Sequence, residues 1–249
     1  MESVQILGCR VDGVDLAAAL ARAAQFVREG GPHRIVTLGT EMIVHARGDA
    51  RYRAVVNGAD LCVPDTIGVV FAARLQGMPL HGRVAGVDLL ERLCSQAAGE
   101  GWSVYLLGAA PGVAEAAGAA LAARHPGLRI AGARDGYFGE HEAQQVAAAI
   151  HASGARILLA ALGFPKQEYF LARWLAASGA AVGVGVGGSF DVIAGRLPRA
   201  PEGFRRLGLE WLYRLLREPS RWRRQLALPL FVWLVVLDRL TLGKGRRST

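Results

Sequence analysis

Short apolar runs that end in Gly or Pro alternate with longer Ala- and Leu-rich stretches along the chain up to about residue 190. Such a chain folds as alternating strands and helices, with the strands in a mainly parallel sheet and the helices on its two faces. Runs such as RILLAAL at 156–162 are apolar without alternation, which is typical of strands buried on both faces. The pattern therefore predicts an α/β, Rossmann-like fold.

Turn residues and periodicity give the predicted elements of this fold. The strands are predicted at 3–7, 34–38, 60–63, 103–107, 128–132, 156–162 and 181–186. The helices are predicted near 15–28, 40–57, 67–76, 87–99, 112–124, 140–152 and 166–177. Open sheets of this kind bind ligands outside the carboxyl ends of their strands, so functional side chains are expected in the loops that follow the strands.

Positive charge is concentrated at the C-terminus. Residues 196–249 hold 13 Lys and Arg against 4 Asp and Glu, whereas residues 1–195 hold 16 against 17. A nearly neutral body with a basic tail predicts a localised anionic partner, which can be membrane lipid, nucleic acid or a diphosphate-bearing substrate. We therefore divide the chain into a catalytic α/β domain, 1–195, and a basic amphipathic helical appendage, 196–249.

Arginines recur through the appendage at intervals of three and four residues: Arg214, Arg217, Arg221 and Arg224. This spacing places them on one helical face if Pro219 only bends the path of the chain. Guanidinium groups suit bidentate phosphate binding, although a solvated helix face is the usual alternative for a run of charges.

An apolar run at 226–237 follows the arginines and ends at Asp238, short of the roughly 20 residues that a spanning helix needs. With Trp222 and Trp233, this basic segment is suited to lie in the membrane interface against anionic lipid. A buried helix or a dimer-forming helix is the alternative, so the formation of a homo-oligomer stays open.

Two glycine-rich segments resemble nucleotide-binding motifs. Gly183, Gly185 and Gly188 satisfy GxGxxG but lie in the last predicted strand, so close backbone packing or ligand approach is favoured over an oxidoreductase. In LGAAPG, a strand ends at Gly108 before a helix whose first amides can face a phosphate, and a simple tight turn is an equal alternative. Since no GK[ST] follows, the segment is not a P-loop.

Polar residues follow several of the strands. Asp65 is our choice for a general base that deprotonates a sugar hydroxyl, with an N-cap of the next helix as the alternative. Arg83 can neutralise a phosphate or pair with Asp88. Gln167 and Glu168 begin a helix, where they can hydrogen-bond a base or a sugar, or simply complement the helix dipole.

Metal ligands and redox motifs are not evident in the sequence. The three cysteines lie far apart and the six histidines are scattered, so we predict no protein-held metal, no disulfide framework and no cofactor. The negative charge of a leaving group would then fall to arginines. The N-terminus lacks the pattern of a secretion signal, which predicts a cytoplasmic location.

Taken in order, the motifs resemble the WecG/TagA/CpsF family of glycosyltransferases over roughly residues 5–228. The resemblance is carried by TEMIVHARGD at 40–49, ADLCVPDTIGVVFAARL at 59–75, RVAGVDLL at 83–90, LLGAAPGVAE at 106–115, DGYF at 135–138, LGFPKQE at 162–168, VGVGGSFDVIAG at 184–195 and RAPEGFRRLGLEWLYRLLREPSRWRR at 199–224. An ordered series of this kind is far more specific than any single motif.

The resemblance implies an inverting, metal-independent transfer of an N-acetylmannosamine-like unit from a UDP-sugar to a polyprenyl-diphosphate-linked sugar, in cell-surface polysaccharide or teichoic-acid-type synthesis. It implies a peripheral location on the inner face of the cytoplasmic membrane. The implied roles are a base, Asp65; catalytic-pocket residues, Thr37 and Arg83; nucleotide-sugar contacts, Gly108, Tyr137, Gln167 and Glu168; and arginines that hold a diphosphate, Arg214, Arg221 and Arg224.

Two positions depart from the family pattern. Gly39 stands where the family usually has Asn, and Thr66 stands where it usually has Gly. These changes predict an altered sugar preference, and they leave a catalytically inactive, membrane-peripheral binding protein of the same fold as the alternative function. Nucleic-acid binding through the basic tail is disfavoured because no familiar nucleic-acid motif is present.

Overall fold

The computed structural model describes residues 1–80, 82–206, 208–217, 222 and 226–245. The strands are β1 (Ser3–Ile6), β2 (Cys9–Asp12), β3 (His33–Leu38), β4 (Leu61–Pro64), β5 (Ser103–Gly108), β6 (Arg129–Arg134), β7 (Ile157–Ala161) and β8 (Val182–Gly185). The helices are α1 (Leu16–Glu29), α2 (Thr40–Gly48), α3 (Ala50–Asn57), α4 (Ile67–Leu75), α5 (Gly86–Glu100), α6 (Val113–Arg124), α7 (Ala143–Ser153), α8 (Lys166–Ser178), α9 (Ser189–Ile193), α10 (Glu202–Arg206), α11 (Glu210–Arg217) and α12 (Ala227–Gly245), with a 3₁₀ turn at Glu140–Glu142.

Six strands form one parallel sheet in the order β4-β3-β8-β7-β5-β6, which confirms the predicted α/β fold. β3 lies between β4 and β8, and β8 lies between β3 and β7. The carboxyl ends of these four neighbouring strands therefore meet at one edge of the sheet, where ligands bind in open α/β folds.

Alternate side chains of the strands enter cores on opposite faces of the sheet. Ile35 and Ile157 pack with residues of α1, α5, α6 and α9 on one face. On the other face, Val36 packs with residues of α2, α3, α4 and α12, and Leu158 packs with residues of α7 and α8. Burial of both faces explains why central strands such as β7 and β8 are apolar throughout rather than alternating.

The predicted elements differ from the structure in two places near the N-terminus. β1 pairs antiparallel with β2, a strand the sequence analysis missed, through a turn in which Leu7 and Gly8 both have positive φ angles, 49° and 86°. The helix predicted at 40–57 is divided into α2 and α3. The division occurs at Asp49, which has extended backbone and whose carboxylate accepts a hydrogen bond from the Tyr52 amide at 2.9 Å, capping α3.

The C-terminal helix α12 packs back onto the α/β body. Phe231 and Val235 are buried in the core beneath α2 and α4, whereas Trp233 is exposed. In the described part of the chain, no helix has both the length and the apolar character needed to cross a membrane. The division into domains at residue 195 stays a prediction.

We expect Phe231→Ala to lower the free energy of unfolding by about 3–5 kcal/mol, because it leaves a cavity between α12 and the body. Trp233→Ala removes a larger side chain from the same helix but an exposed one, so it should cost less than about 1 kcal/mol. Urea unfolding of the two variants measures the difference. Equal losses of stability would show that α12 is not seated on the core in solution.

Candidate active site

A cavity of about 250 Å³ opens at the edge where β3, β4, β7 and β8 end. Residues that follow each of these strands line it, together with the start of α5 and four residues of the C-terminal segment, Gly208, Glu210, Trp211 and Leu228. Four of the sequence-predicted site residues lie on its wall: Thr37, Asp65, Arg83 and Gln167. Thr37 and Gln167, which are 130 positions apart in sequence, are thus brought into one site.

Asp65 lies directly after β4, where its half-buried side chain lines the cavity. Its Oδ1 accepts a hydrogen bond from the Gly86 amide at 2.7 Å, which fixes the direction of the carboxylate. The N-cap of α4 is Thr66, not Asp65, and Thr66 makes no side-chain capping bond. The alternative role of Asp65 as the helix cap is therefore wrong, and the carboxylate is instead tied to the start of α5.

Gln167 is held at both ends of its carboxamide. Its Oε1 accepts a hydrogen bond from the Gly187 amide at 3.1 Å, and its Nε2 donates to Glu168 Oε1 at 2.8 Å. A Cβ at position 185 would lie 2.8 Å from Gln167 Nε2, so Gly185 provides the space for the carboxamide. This contact confirms close packing as the role of Gly185 and argues against a dinucleotide fingerprint.

Thr37 lies on β3 opposite this group. Its hydroxyl donates to the carbonyl of Gly185 at 2.7 Å, which joins β3 to β8 through a side chain as well as through the backbone ladder. Thr37 is buried apart from the surface that it presents to the cavity. Its side chain also contacts Gly86, since a Cβ built there would lie 3.5 Å from Thr37 Oγ1.

Glu168 is buried behind Gln167 and does not line the cavity. Burial raises the pKa of its carboxyl group, while its contacts with the Gln167 amide and the Tyr52 hydroxyl lower it less strongly. The carboxylate of Glu168 therefore orients the side chain of Gln167 through their hydrogen bond. Direct contact with a nucleotide sugar, as predicted for Glu168, is not supported by this position.

Arg83 reaches across the cavity wall to the C-terminal segment, where its Nη2 lies 2.5 Å from Glu210 Oε2. Asp88, the partner suggested by the sequence, pairs instead with Arg199 at 2.5 Å. Both ion pairs join the beginning of α5 to residues beyond 195. The segment 83–88, which contains the Gly86 amide that binds Asp65, is therefore also in contact with the C-terminal segment.

The N-termini of α2 and α4 meet beside Asp65. A Cβ at Gly68 would lie 2.6 Å from Thr40 Cγ2, so this glycine permits their close approach. Neither N-cap residue, Gly39 nor Thr66, supplies a side-chain acceptor to the first amides of its helix. Such helix ends attract anions because of their amide groups and the helix dipole.

Gly108 and Tyr137 lie away from the cavity wall. At Gly108, φ is 133° and a Cβ would lie 2.4 Å from the carbonyl of Ala161, so the glycine serves the packing of β5 against β7. Tyr137 is exposed in a loop that Lys166 fastens by donating to the carbonyls of Gly136 and Phe138. Nucleotide-sugar contacts by these two residues stay predictions.

The appendage arginines are only partly within the described residues. Arg214 belongs to α11, and Arg221 and Arg224 lie outside the described part of the chain. The sequence analysis missed Glu210 and Gly86 as members of the site. An acidic residue at the start of a helix in a strongly basic segment was the available signal for Glu210, whereas a backbone amide such as that of Gly86 leaves none.

Other reactive groups do not form a competing centre in the described residues. No cluster of three or more His, Cys, Asp or Glu there is placed to hold a metal ion. Cys9, Cys62 and Cys94 are buried free thiols, and burial raises the pKa of Cys9 to about 11 and those of Cys62 and Cys94 to about 12. Thiols of such high pKa are not activated nucleophiles.

Glu168→Gln should make the protein less sensitive to alkaline pH. Because the pKa of Glu168 is raised on folding, its ionisation opposes folding, and this loss of stability develops as pH rises above the ordinary value of 4.5. Gln keeps an oxygen that accepts from Gln167 but cannot ionise. We therefore expect the stability of the variant, relative to wild type, to be higher at pH 8 than at pH 5 in urea unfolding.

The exposed Glu140, which pairs with Arg173, gives the control for this measurement. Glu140→Gln should show no comparable change between pH 5 and pH 8. A Glu168→Gln difference that is the same at both pH values would contradict a raised pKa at this buried carboxyl group.

Comparison with known proteins agrees with this geometry. The model of the glycosyl transferase WecG/TagA/CpsF family matches residues 4–245. A relative from Bacillus spizizenii is 42% identical over 202 residues, which cover 81% of this chain and 78% of the relative. That relative is named N-acetylglucosaminyldiphosphoundecaprenol N-acetyl-beta-D-mannosaminyltransferase. The chain thus belongs to the WecG/TagA/CpsF family and is a glycosyltransferase.

Proposed function

We propose that this enzyme transfers an N-acetylmannosamine-like unit from a UDP-sugar to a polyprenyl-diphosphate-linked sugar, with inversion at the anomeric carbon. The observation that carries the proposal is the placement of Asp65 in a cavity with Thr37, Arg83 and Gln167, at the ligand-binding edge of the sheet. The name of the Bacillus spizizenii relative supports the donor sugar and the lipid-diphosphate acceptor.

In the proposed reaction, Asp65 takes the proton from an acceptor hydroxyl as its oxygen attacks the anomeric carbon of the donor. A new bond forms between that oxygen and the carbon, and the bond from the carbon to the diphosphate oxygen breaks, releasing UDP. A single displacement inverts the anomeric centre. The hydrogen bond from the Gly86 amide to Asp65 Oδ1 holds the carboxylate in one direction during the proton transfer.

The leaving diphosphate carries the negative charge that develops in this step. The uncapped N-termini of α2 and α4 lie on the cavity wall and offer amide groups to it. We assign further charge neutralisation to Arg83 and to the appendage residues Arg214, Arg221 and Arg224, since guanidinium groups bind phosphate oxygens in pairs. On this proposal, charge neutralisation does not require a protein-held metal.

The shape of the sugar pocket is set in part by Gly39 and Thr66. A Cβ at position 39 would lie 3.5 Å from Thr66 Cγ2, so the two departures from the family pattern are neighbours on the cavity wall. The methyl group of Thr66 lies next to the space that a side chain at position 39 would occupy. We propose that this exchange adjusts which hexose the enzyme accepts.

Asp65→Asn should reduce kcat for transfer by roughly 10²- to 10⁴-fold, because the amide keeps the shape of the carboxylate but cannot accept the proton. The assay is acceptor-dependent release of UDP from UDP-N-acetylmannosamine, with a polyprenyl-diphosphate-linked N-acetylglucosamine as acceptor. Affinity for UDP should be nearly unchanged.

Asp88→Asn is the matched control for the Asp65 variant. Asp88 lies at the same end of α5 but outside the cavity wall, so its loss should leave kcat within a few-fold of wild type. Turnover by Asp65→Asn at a rate close to that of the control would remove Asp65 from the role of base.

We further propose that the enzyme binds an anionic membrane surface from the cytoplasmic side through α12. The outward side of this segment carries apolar residues spaced by three and four positions, all of them exposed: Leu226, which directly precedes α12, and Leu230, Trp233, Leu237 and Leu240 within it. An exposed apolar stripe on a helix in a basic segment is suited to the interface between headgroups and acyl chains. In that position, the cavity would lie near the lipid-linked acceptor.

Replacing Trp233 and Leu237 together by Glu should weaken binding to phosphatidylglycerol vesicles by about ten-fold or more, because two apolar side chains can no longer be buried in lipid. Co-sedimentation measures the change. Tyr137→Glu adds a charge at another exposed aromatic residue and should leave vesicle binding close to wild type. Undiminished binding by the double variant would exclude α12 as the docking surface.

A further inference from the structure

In the cavity, Arg83 is paired with the carboxylate of Glu210. The proposed function instead requires the guanidinium group of Arg83 to bind the diphosphate of the substrate. Arg83 Nη2 and Glu210 Oε2 are 2.5 Å apart, and the side chains are only 21% and 9% exposed. Both residues line the cavity. A largely buried ion pair of this kind holds the guanidinium group firmly, because either charge alone would be poorly solvated.

The cavity has more negatively than positively charged residues on its described wall, which is unusual for a site that binds a diphosphate. Among the described residues that line the cavity, the charged ones are Glu41, Asp65, Arg83 and Glu210. Three of these four residues are carboxylates. A diphosphate that approached Arg83 would have to displace the carboxylate of Glu210 and would meet its repulsion.

Local geometry brings Glu210 to this place. Gly208 has φ of 71°, and a Cβ there would lie within 3.0 Å of the Ile67 side chain at the start of α4. The Leu209 amide donates to the carbonyl of Phe204 at 2.8 Å, which closes the turn before α11. Glu210 is the first residue of α11, where a negative charge also complements the helix dipole.

We infer that Glu210 is an internal anion that occupies the diphosphate-binding position of Arg83, and that substrate diphosphate binds by exchanging with it. The inference rests on the proposed function for the identity of the ligand. The carboxylate oxygen of Glu210 and a phosphate oxygen are interchangeable acceptors for the same guanidinium N–H groups. Glu210 therefore keeps Arg83 ordered in the empty enzyme and lowers its affinity for diphosphates.

Inorganic pyrophosphate tests this exchange by isothermal titration calorimetry on the full chain. Glu210→Gln removes the competing charge and should bind pyrophosphate roughly 3- to 10-fold more tightly than wild type, as expected for the loss of one competing ion pair. Asp88→Asn removes one negative charge from the other ion pair to the C-terminal segment, outside the cavity wall, and should leave the Kd at the wild-type value.

A double-mutant cycle ties the effect to the pair. In an Arg83→Gln background, Glu210→Gln should no longer tighten pyrophosphate binding. If Glu210→Gln does not fold, Glu210→Asp serves instead: its shorter side chain withdraws from Arg83, and the expected gain in affinity is smaller. Circular dichroism establishes which variant is folded.

Binding that is unchanged or weaker in the folded Glu210 variant, equal tightening in Asp88→Asn, or no pyrophosphate binding by any form would each overturn the inference. The measurement is independent of sugar transfer. A wild-type enzyme that fails to transfer the sugar but shows the expected series of Kd values would contradict the proposed reaction while supporting the exchange at Arg83.

Discussion

A parallel sheet that is covered by helices on both faces offers a ligand the ends of its central strands, and much of this structure follows from that constraint. The apolar strands require helices above and below them, and each helix must begin near the carboxyl end of the strand that precedes it. Loop residues and helix N-termini are therefore gathered at one edge. Asp65, Thr37 and Gln167 meet there because of the topology, although they are far apart in sequence.

The start of α5 connects this edge to the C-terminal segment. Within six residues, Arg83 pairs with Glu210, the Gly86 amide donates to Asp65, and Asp88 pairs with Arg199. The same six residues, 83–88, are thus in contact with both Asp65 and the C-terminal segment. The same segment contributes Phe231 to the core, so it is part of the folded body as well as part of the site.

The fold was predictable from the sequence because apolar runs and helical periodicity are local signals, and all six strands of the sheet were anticipated. The β2 strand was missed because it is short and because its turn places Leu7 at a positive φ angle. A leucine gives no sequence signal for such a conformation. Residues that touch the cavity through their own side chains, such as Asp65 and Gln167, were found from position and chemistry. The sugar contact predicted for Glu168 stays a prediction: its side chain is buried and does not line the cavity, because adjacent residues of a helix point in different directions. Glu210 itself left a sequence signal, but its pairing with Arg83 could not be predicted, because the pairing depends on how a segment more than 120 residues away folds back.

The position of Glu210 affects how the anion affinity of a chain truncated near residue 195 should be interpreted. Cutting the chain near residue 195 removes nine units of net positive charge, which suggests a simple loss of attraction for anions. The same cut also removes the carboxylate that neutralises Arg83 and the phenyl ring that fills the groove over α2 and α4. A shortened enzyme therefore differs from the full chain by more than its missing arginines. It exposes the guanidinium group of Arg83 and an apolar groove over α2 and α4. Its nucleotide affinity then reflects this altered surface as well as the loss of the tail.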